Sequence, residues 1–328
     1  MPNDIKIFII ICAVVACILI AAIVYLIKPK DVAIVQNSRI TGDEFKYYYS
    51  QNLQAFASYM QYAESEEDQQ SVLNYAKQMA LNQAVEIEYT LQEAKKAGFK
   101  ADQKEMNDGW ANMEKNITDA AAAYQMDINK FSEQSFGVSL NKVKTIYMDA
   151  FTAQKYMEKK VDEVELDETK LAAFYEENRA SFDYNKVSHI LITCARDAED
   201  AVAQEKNKAA QDILDRVNKG EDFAALAKEF SEDEGSKDTG GTYDVYQDTN
   251  FVPEFMEWTF AAKVGETGII RTDHGFHVMK LDAINNTLDA NRDYIAKSYQ
   301  TNEYQTRIND LMNDGTIKVE ILEGLSEF

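Results

Sequence analysis

Between Thr41 and Arg179 the sequence contains no proline, and its only glycines there are Gly42, Gly98, Gly109 and Gly137. With so few helix breakers, a sheet-rich or loop-rich architecture is excluded for that stretch. Cysteine is equally scarce. Cys12 and Cys17 fall in an apolar N-terminal run and Cys194 stands alone beyond it, so no disulfide can form within the remainder of the chain. Basic side chains number 34 against 56 acidic ones, a formal charge of -22, and no basic cluster extends over more than a few residues. That balance speaks against a nucleic-acid partner. Acidity otherwise says only that the chain repels anionic surfaces, and no metal or cofactor is expected. What is present is core-forming material: 45% of the 328 residues are apolar and 11% aromatic, enough for two domains.

Residues 7–27 carry no formal charge and are nearly all aliphatic. As a helix they span roughly 30 Å, the thickness of a hydrocarbon core, and they are expected to form a single transmembrane segment after a short tail at 1–6. Val14-Val15-Ala16-Cys17 resembles a bacterial lipoprotein cleavage box, which makes Cys17 a candidate lipidation site. Ten further apolar residues follow it, where lipoproteins turn polar, so an uncleaved signal anchor is favoured. Lys6 stands against Lys28, Lys30, Arg39 and Lys46, a count that by itself puts the large domain in the cytoplasm.

Past the anchor, Val32 to Val35 is a short strand and Thr41-Gly42-Asp43-Glu44 has the spacing of a capping box. Helices follow as far as about Arg179, with Ala80, Ala84, Ile87, Leu91 and Ala94 recurring at helical spacing. Gly98 ends one helix, Asp102 with Glu105 starts the next, and a break falls at Phe136 to Ser139. Asp167 caps a segment running through Leu171, Phe174 and Tyr175. The Tyr47-Tyr48-Tyr49 triplet is expected to pack helices together, with a groove for unfolded chains as the second reading. Val187 to Cys194 then reads as a strand, Glu205 to Val217 and Asp222 to Phe230 as helices, and Gly268 to Thr272 and Phe276 to Leu281 as closing strands. A helix from Leu288 to Met312 leads to a last strand, Ile317 to Leu322, whose available partner is Val32 to Val35.

The fold class expected is therefore α+β. A mostly helical domain is formed by residues 31–185 and 285–328, with a small antiparallel sheet wrapped by helices inserted at 186–284. Within that insert, Val187-Ser188-His189-Ile190-Leu191-Ile192 is followed by Gly220-Glu221-Asp222-Phe223, Phe230-Ser231-Glu232-Asp233, Gly240-Gly241, Val252-Pro253-Glu254-Phe255 and Gly265-Glu266-Thr267. Thr272-Asp273-His274-Gly275-Phe276-His277-Val278 closes the series. These blocks, in this order, resemble the parvulin-type peptidyl-prolyl isomerases. More loosely, Val32 to Phe45 and Tyr175-Glu176-Glu177-Asn178 with Phe182 resemble the extracytoplasmic, membrane-anchored foldases of the PrsA and SurA type, so that 31–185 with 285–328 is read as a chaperone domain. That resemblance overrides the charge count and implies a single-pass protein of the cell membrane with its large domain outside the cytoplasm.

By motif position, the resemblance implies a proline pocket built from Phe251 and Phe255, with Tyr243 where the family has a leucine. It implies that His189 and His277 lie together on adjacent strands, with Asp233 and Thr272 in the same network. An aspartate at 233, where some parvulins carry cysteine, removes a covalent cysteine route. The acidic loop from Cys194 to Asp200 differs from the basic loop of phosphate-directed parvulins, so no phosphorylated residue before proline is required. The expected activity is cis-trans isomerisation and chaperoning of unfolded or partly folded secreted polypeptides with X-Pro bonds. The alternative is a non-enzymatic holdase with a degenerate parvulin module, which the tyrosine at 243 favours; a membrane scaffold ranks last. The sequence admits a homodimer.

Overall fold

A computed structural model describes residues 29–63 and 65–328. The expected membrane segment at 7–27 and the candidate lipidation site Cys17 lie outside these residues. Among the described residues, no helix is long and apolar enough to cross a membrane. The chain divides into two compact units, one formed by the residues up to Val164 together with Asn302–Phe328, the other by Glu165–Thr301.

The first unit opens with β1 (Ala33–Val35) and β2 (Ser38–Ile40), followed by helices α1 (Gly42–Ala55), α2 (Ala57–Tyr62), α3 (Glu66–Lys96), α4 (Gln103–Ala123), α5 (Ile128–Phe136) and α6 (Leu140–Asp162). The capping box at Thr41 is present. Its side chain accepts from the Glu44 amide while Glu44 Oε2 accepts from the Thr41 amide at 2.8 Å. Asp102 caps α4 through the Glu105 amide, and Gly137, at φ 75°, ends α5 in the left-handed region. The last strand, β7 (Val319–Ile321), pairs antiparallel with β1, Ala33 opposite Ile321, which ties the two ends of the described chain into one sheet of order β2-β1-β7. Phe45, Val32, Val35, Ile146 and Ile317 are buried in the core beneath it. Tyr48 and Tyr49 belong to that core, while Tyr47 packs partly buried against it.

The second unit is wider than the span 186–284 expected from the motifs. Helices α7 (Glu168–Glu177) and α8 (Arg179–Phe182) precede the sheet, and Leu171, Tyr175 and Phe182 pack with Ile295 and Tyr299 of α12 (Arg292–Asn313). The expected edge at 186 falls inside β3 (Tyr184–Thr193). Next come α9 (Asp200–Asn218), α10 (Phe223–Phe230), β4 (Thr242–Tyr246), α11 (Pro253–Ala261), β5 (Thr267–Arg271) and β6 (Gly275–Asn285). The sheet is antiparallel with order β4-β3-β6-β5.

Strand periodicity sorts this sheet into two faces. Ile190, Ile192 and Val278 bury against Ala210 and Ile213 of α9 and Phe223 and Leu226 of α10. Val187, Met279 and Leu281 point the other way, toward Phe255 of α11 and Val245 of β4. His189 and His277 share the parity of this second face, so the strand pattern alone delivers both histidines to the side that holds Phe255.

Candidate active site

His189 lies opposite Met279 in the β3–β6 ladder and His277 lies opposite Leu191, so the two histidines are diagonal neighbours on one face. Their rings stack at 17° with centroids 5.4 Å apart, and the two Nδ1 atoms are 3.1 Å from each other. His189 Nε2 is 2.9 Å from Asp233 Oδ2 and 3.2 Å from Ser236 Oγ. His277 Nε2 is 2.8 Å from Thr272 Oγ1, which accepts from the His274 amide at 3.1 Å. Ser236 and Tyr243 both donate their hydroxyls to Asp233 Oδ2, the tyrosine at 3.0 Å, and Asp233 Oδ1 accepts from the Gly235 amide at 3.2 Å.

Electrostatics fix the direction of every bond in this chain. Burial alone pushes the Asp233 carboxyl up, but the donors Ser236, His189 and Tyr243 outweigh it and hold the group at about 2. Burial pushes His189 down despite Asp233, and burial with the neighbouring His189 and His274 pushes His277 down to about 4. At neutral pH the site therefore holds one carboxylate and two neutral imidazoles. The carboxylate can only accept, so His189 carries its proton on Nε2 and presents a bare Nδ1. His277 must then donate from Nδ1, its Nε2 must accept, and Thr272 Oγ1–H supplies that bond. The protons run one way, from Thr272 through His277 and His189 to Asp233. Nitrogen-15 spectra should show the Nδ1–H tautomer for His277 and the Nε2–H tautomer for His189 at pH 7; the opposite pair would contradict the chain.

Apolar rings cover the histidines. Phe255, 2% exposed, meets His189 edge-on at 5.4 Å and His277 at 6.0 Å, and stacks with Phe251 at 4.8 Å. Tyr243 meets Phe251 edge-on at 5.1 Å. The structure thus brings together all of His189, Asp233, Thr272, His277, Tyr243, Phe251 and Phe255. Tyr243 keeps its place because residue 235 is glycine: a Cβ there would lie 2.6 Å from the tyrosine hydroxyl. Gly235→Ala should consequently displace Tyr243 from Asp233, visible as a change in the tyrosine fluorescence or ring shifts of the folded protein. Gly241, at φ +75°, is needed for a second reason, since a Cβ would lie 2.2 Å from the His189 carbonyl.

Ser236, 1% exposed, belongs to this hydrogen-bonded cluster and is the member that sequence reasoning missed. Its signal was available in the spacing Asp233-x-x-Ser236, in which the turn returns a hydroxyl to the carboxylate three residues earlier. Among the described residues no group of three or more His, Cys, Asp or Glu side chains is arranged to hold a metal ion.

The first unit has concavities of its own. One of about 450 Å³ is lined by Tyr47, Tyr48, Gln51, Gln83, Thr90 and Tyr147, and Gln51 Nε2 is buried without a hydrogen-bond partner among the described residues. Another, of about 540 Å³, is lined by Met113, Ile117, Tyr124, Phe131 and Phe136 among others.

Residues 170–284 match the sequence family described as the PPIC-type PPIASE domain, and residues 3–140 match the SurA-like N-terminal domain family. A foldase protein PrsA of Caldanaerobacter subterraneus subsp. tengcongensis is 28% identical over 258 residues, 77% of this chain and 73% of that protein. A foldase protein PrsA of Clostridium botulinum strain 657 is 29% identical over 236 residues, 68% of this chain and 66% of the relative. Among solved structures, the foldase protein PrsA from Streptococcus pneumoniae aligns over 90% of this chain and 97% of its own, at 19% identity and a TM-score of 0.38.

Proposed function

The chain carries a PPIC-type parvulin domain and a SurA-like N-terminal domain, and from that pairing we propose that it is a peptidyl-prolyl cis-trans isomerase and chaperone of unfolded polypeptides. The observation that carries the reading is the stack of Phe251 on Phe255 over two neutral histidines. Rotation about a peptide bond is opposed by about 18–20 kcal/mol because it breaks amide resonance. In the twisted state the carbonyl loses charge separation and the prolyl nitrogen becomes pyramidal. An apolar, water-poor pocket favours that state over the planar one without any proton transfer.

In this reading Phe251, Phe255 and the face of Tyr243 hold the proline ring. The histidines form the floor, and their neutral state keeps a desolvated cation out of an apolar site. Asp233 already accepts from His189, Ser236, Tyr243 and the Gly235 amide, so it fixes the histidine tautomers rather than acting as a base. Thr272 does the same from the other end of the chain. The 450 Å³ crevice of the first unit, lined by Tyr47, Tyr48, Ile87, Ile146 and Tyr147, supports a chaperone role because it offers apolar and aromatic surface to an unfolded chain. Attachment to the outer face of a membrane through residues 7–27, with secreted chains as clients, completes the proposal.

The holdase alternative is favoured by one observation, the Tyr243 hydroxyl tied to Asp233 with its ring edge-on to Phe251. Refolding of a client protein limited by proline isomerisation separates the two. An isomerase shortens the slow phase of tens to hundreds of seconds, whereas a holdase raises the yield and leaves that phase unchanged. Acceleration is the expected result. Tyr243→Phe, which removes one of the donors to Asp233, should reduce it by several-fold and not abolish it.

A further inference from the structure

Arg196, in the loop after β3, has its Nη1 2.7 Å from Asp273 Oδ1 and 3.2 Å from Glu254 Oε1. Those carboxylates are chain neighbours of the site. Glu254 immediately precedes Phe255 on the first turn of α11, and Asp273 immediately follows Thr272, whose hydroxyl meets His277. The three side chains thus bridge two elements that carry the pocket, and they place one cation against two anions there. Of the other cations, Lys237 pairs with Glu234. Arg271 lies over the Phe276 ring at 4.4 Å and donates to the Cys194 and Ala195 carbonyls, keeping a positive charge at the site that the Asp233 carboxylate offsets.

We propose that Glu254 and Asp273, only half neutralised by the arginine they clamp, make the mouth of the site net acidic, so that it takes prolyl bonds preceded by lysine or arginine and disfavours those preceded by an acidic or phosphorylated residue. The inference rests on the isomerase reading and names its substrate class. The residue before a seated proline has its Cα only about 3.8 Å from the proline Cα, and a long side chain there extends several ångströms further. That reach covers the chain neighbours of Phe255 and Thr272. A phosphate or carboxylate must take Arg196 from both of its partners and then face the two carboxylates left behind, while an ammonium or guanidinium meets no such conflict. The groups are exposed, with side-chain accessibilities of 62% for Arg196 and 71% for Asp273, so the selection is moderate and screened by salt.

The test is the specificity constant of the full chain toward unphosphorylated tetrapeptides differing only before proline, Lys-Pro, Ala-Pro and Glu-Pro, at low salt and at high salt. Lys-Pro is expected to exceed Glu-Pro by roughly five- to tenfold at low salt, with the ratio collapsing toward one at high salt. Because a ratio is read, partial loss of folded protein cancels. Glu254→Gln with Asp273→Asn should invert the ratio by releasing Arg196, and Arg196→Ala should raise it. Equal constants for Lys-Pro and Glu-Pro with Ala-Pro turned over, or a ratio that neither variant moves, overturn the proposal while leaving the isomerase reading intact. Failure to turn over Ala-Pro removes that reading and the proposal with it.

Discussion

Replacing Phe255 with alanine should lower the stability of the second unit by about 3–5 kcal/mol, the cost of emptying a buried aromatic position. The same change should remove measurable isomerisation even in the fraction that remains folded. Phe255 is 2% exposed and is the one ring that touches Phe251 and both histidines, so its loss opens the floor of the pocket to water as well as leaving a void. Phe255→Leu separates the two effects. It keeps most of the volume and should cost no more than about 1.5 kcal/mol, yet it lacks the flat face on which Phe251 stacks. Urea melts give the first quantity and peptide exchange the second. An alanine variant as stable as the parent would contradict the packing described for this face.

Acid should weaken the second unit well before its surface carboxylates are protonated. The folded protein holds His277 at about 4 against an ordinary value of 6.5, so between those pH values the unfolded chain binds a proton that the folded chain refuses. The contribution to stability is therefore complete above pH 6.5 and is lost as pH falls toward about 4. At about 1.4 kcal/mol per pH unit it amounts to about 3 kcal/mol. His189, also pushed down by burial, adds in the same direction. Asp233 adds a later loss, as pH falls from 3.8 through about 2. The geometry states the reason without reference to titration: a proton on both Nδ1 atoms sets two donors facing each other at 3.1 Å. His277→Gln should flatten the dependence between pH 6.5 and 4.5 by about 1 kcal/mol per pH unit relative to the parent. Parallel pH profiles for the two proteins would show that the histidine pair is not held neutral.

The grouping of these side chains was readable in sequence because they sit in short motifs at fixed order, and because strand parity puts His189 and His277 on one face once β3 and β6 pair. Helix starts at Thr41, Asp102 and Asp167 were equally legible, since each signal is a single side chain acting on amides two or three residues away. β4 was not. Thr242 to Tyr246 has little apolar alternation, and it becomes a strand through pairing with β3, from Tyr184 opposite Tyr246 to Ser188 opposite Thr242. α11 was missed although Pro253 at its first position is a recognised start signal. The edges of the second unit depend on Leu171, Tyr175 and Phe182 meeting Ile295 and Tyr299 more than a hundred residues later, a contact no local pattern encodes. The role of Ser236 was hidden for a similar reason, because a serine in a turn is ordinarily a solvated hydroxyl and only the fold buries it against Asp233.

Catalysed exchange of an unphosphorylated Ala-Pro tetrapeptide, followed by exchange spectroscopy with the full chain at pH 7, tests the central claim most directly. The account predicts saturable cis-trans exchange, far faster than the uncatalysed isomerisation of tens of seconds or more, that disappears in Phe255→Leu while the fold is kept. No acceleration by a protein whose His189 and His277 show the tautomers derived above would mean that the site is assembled but does not isomerise prolyl bonds.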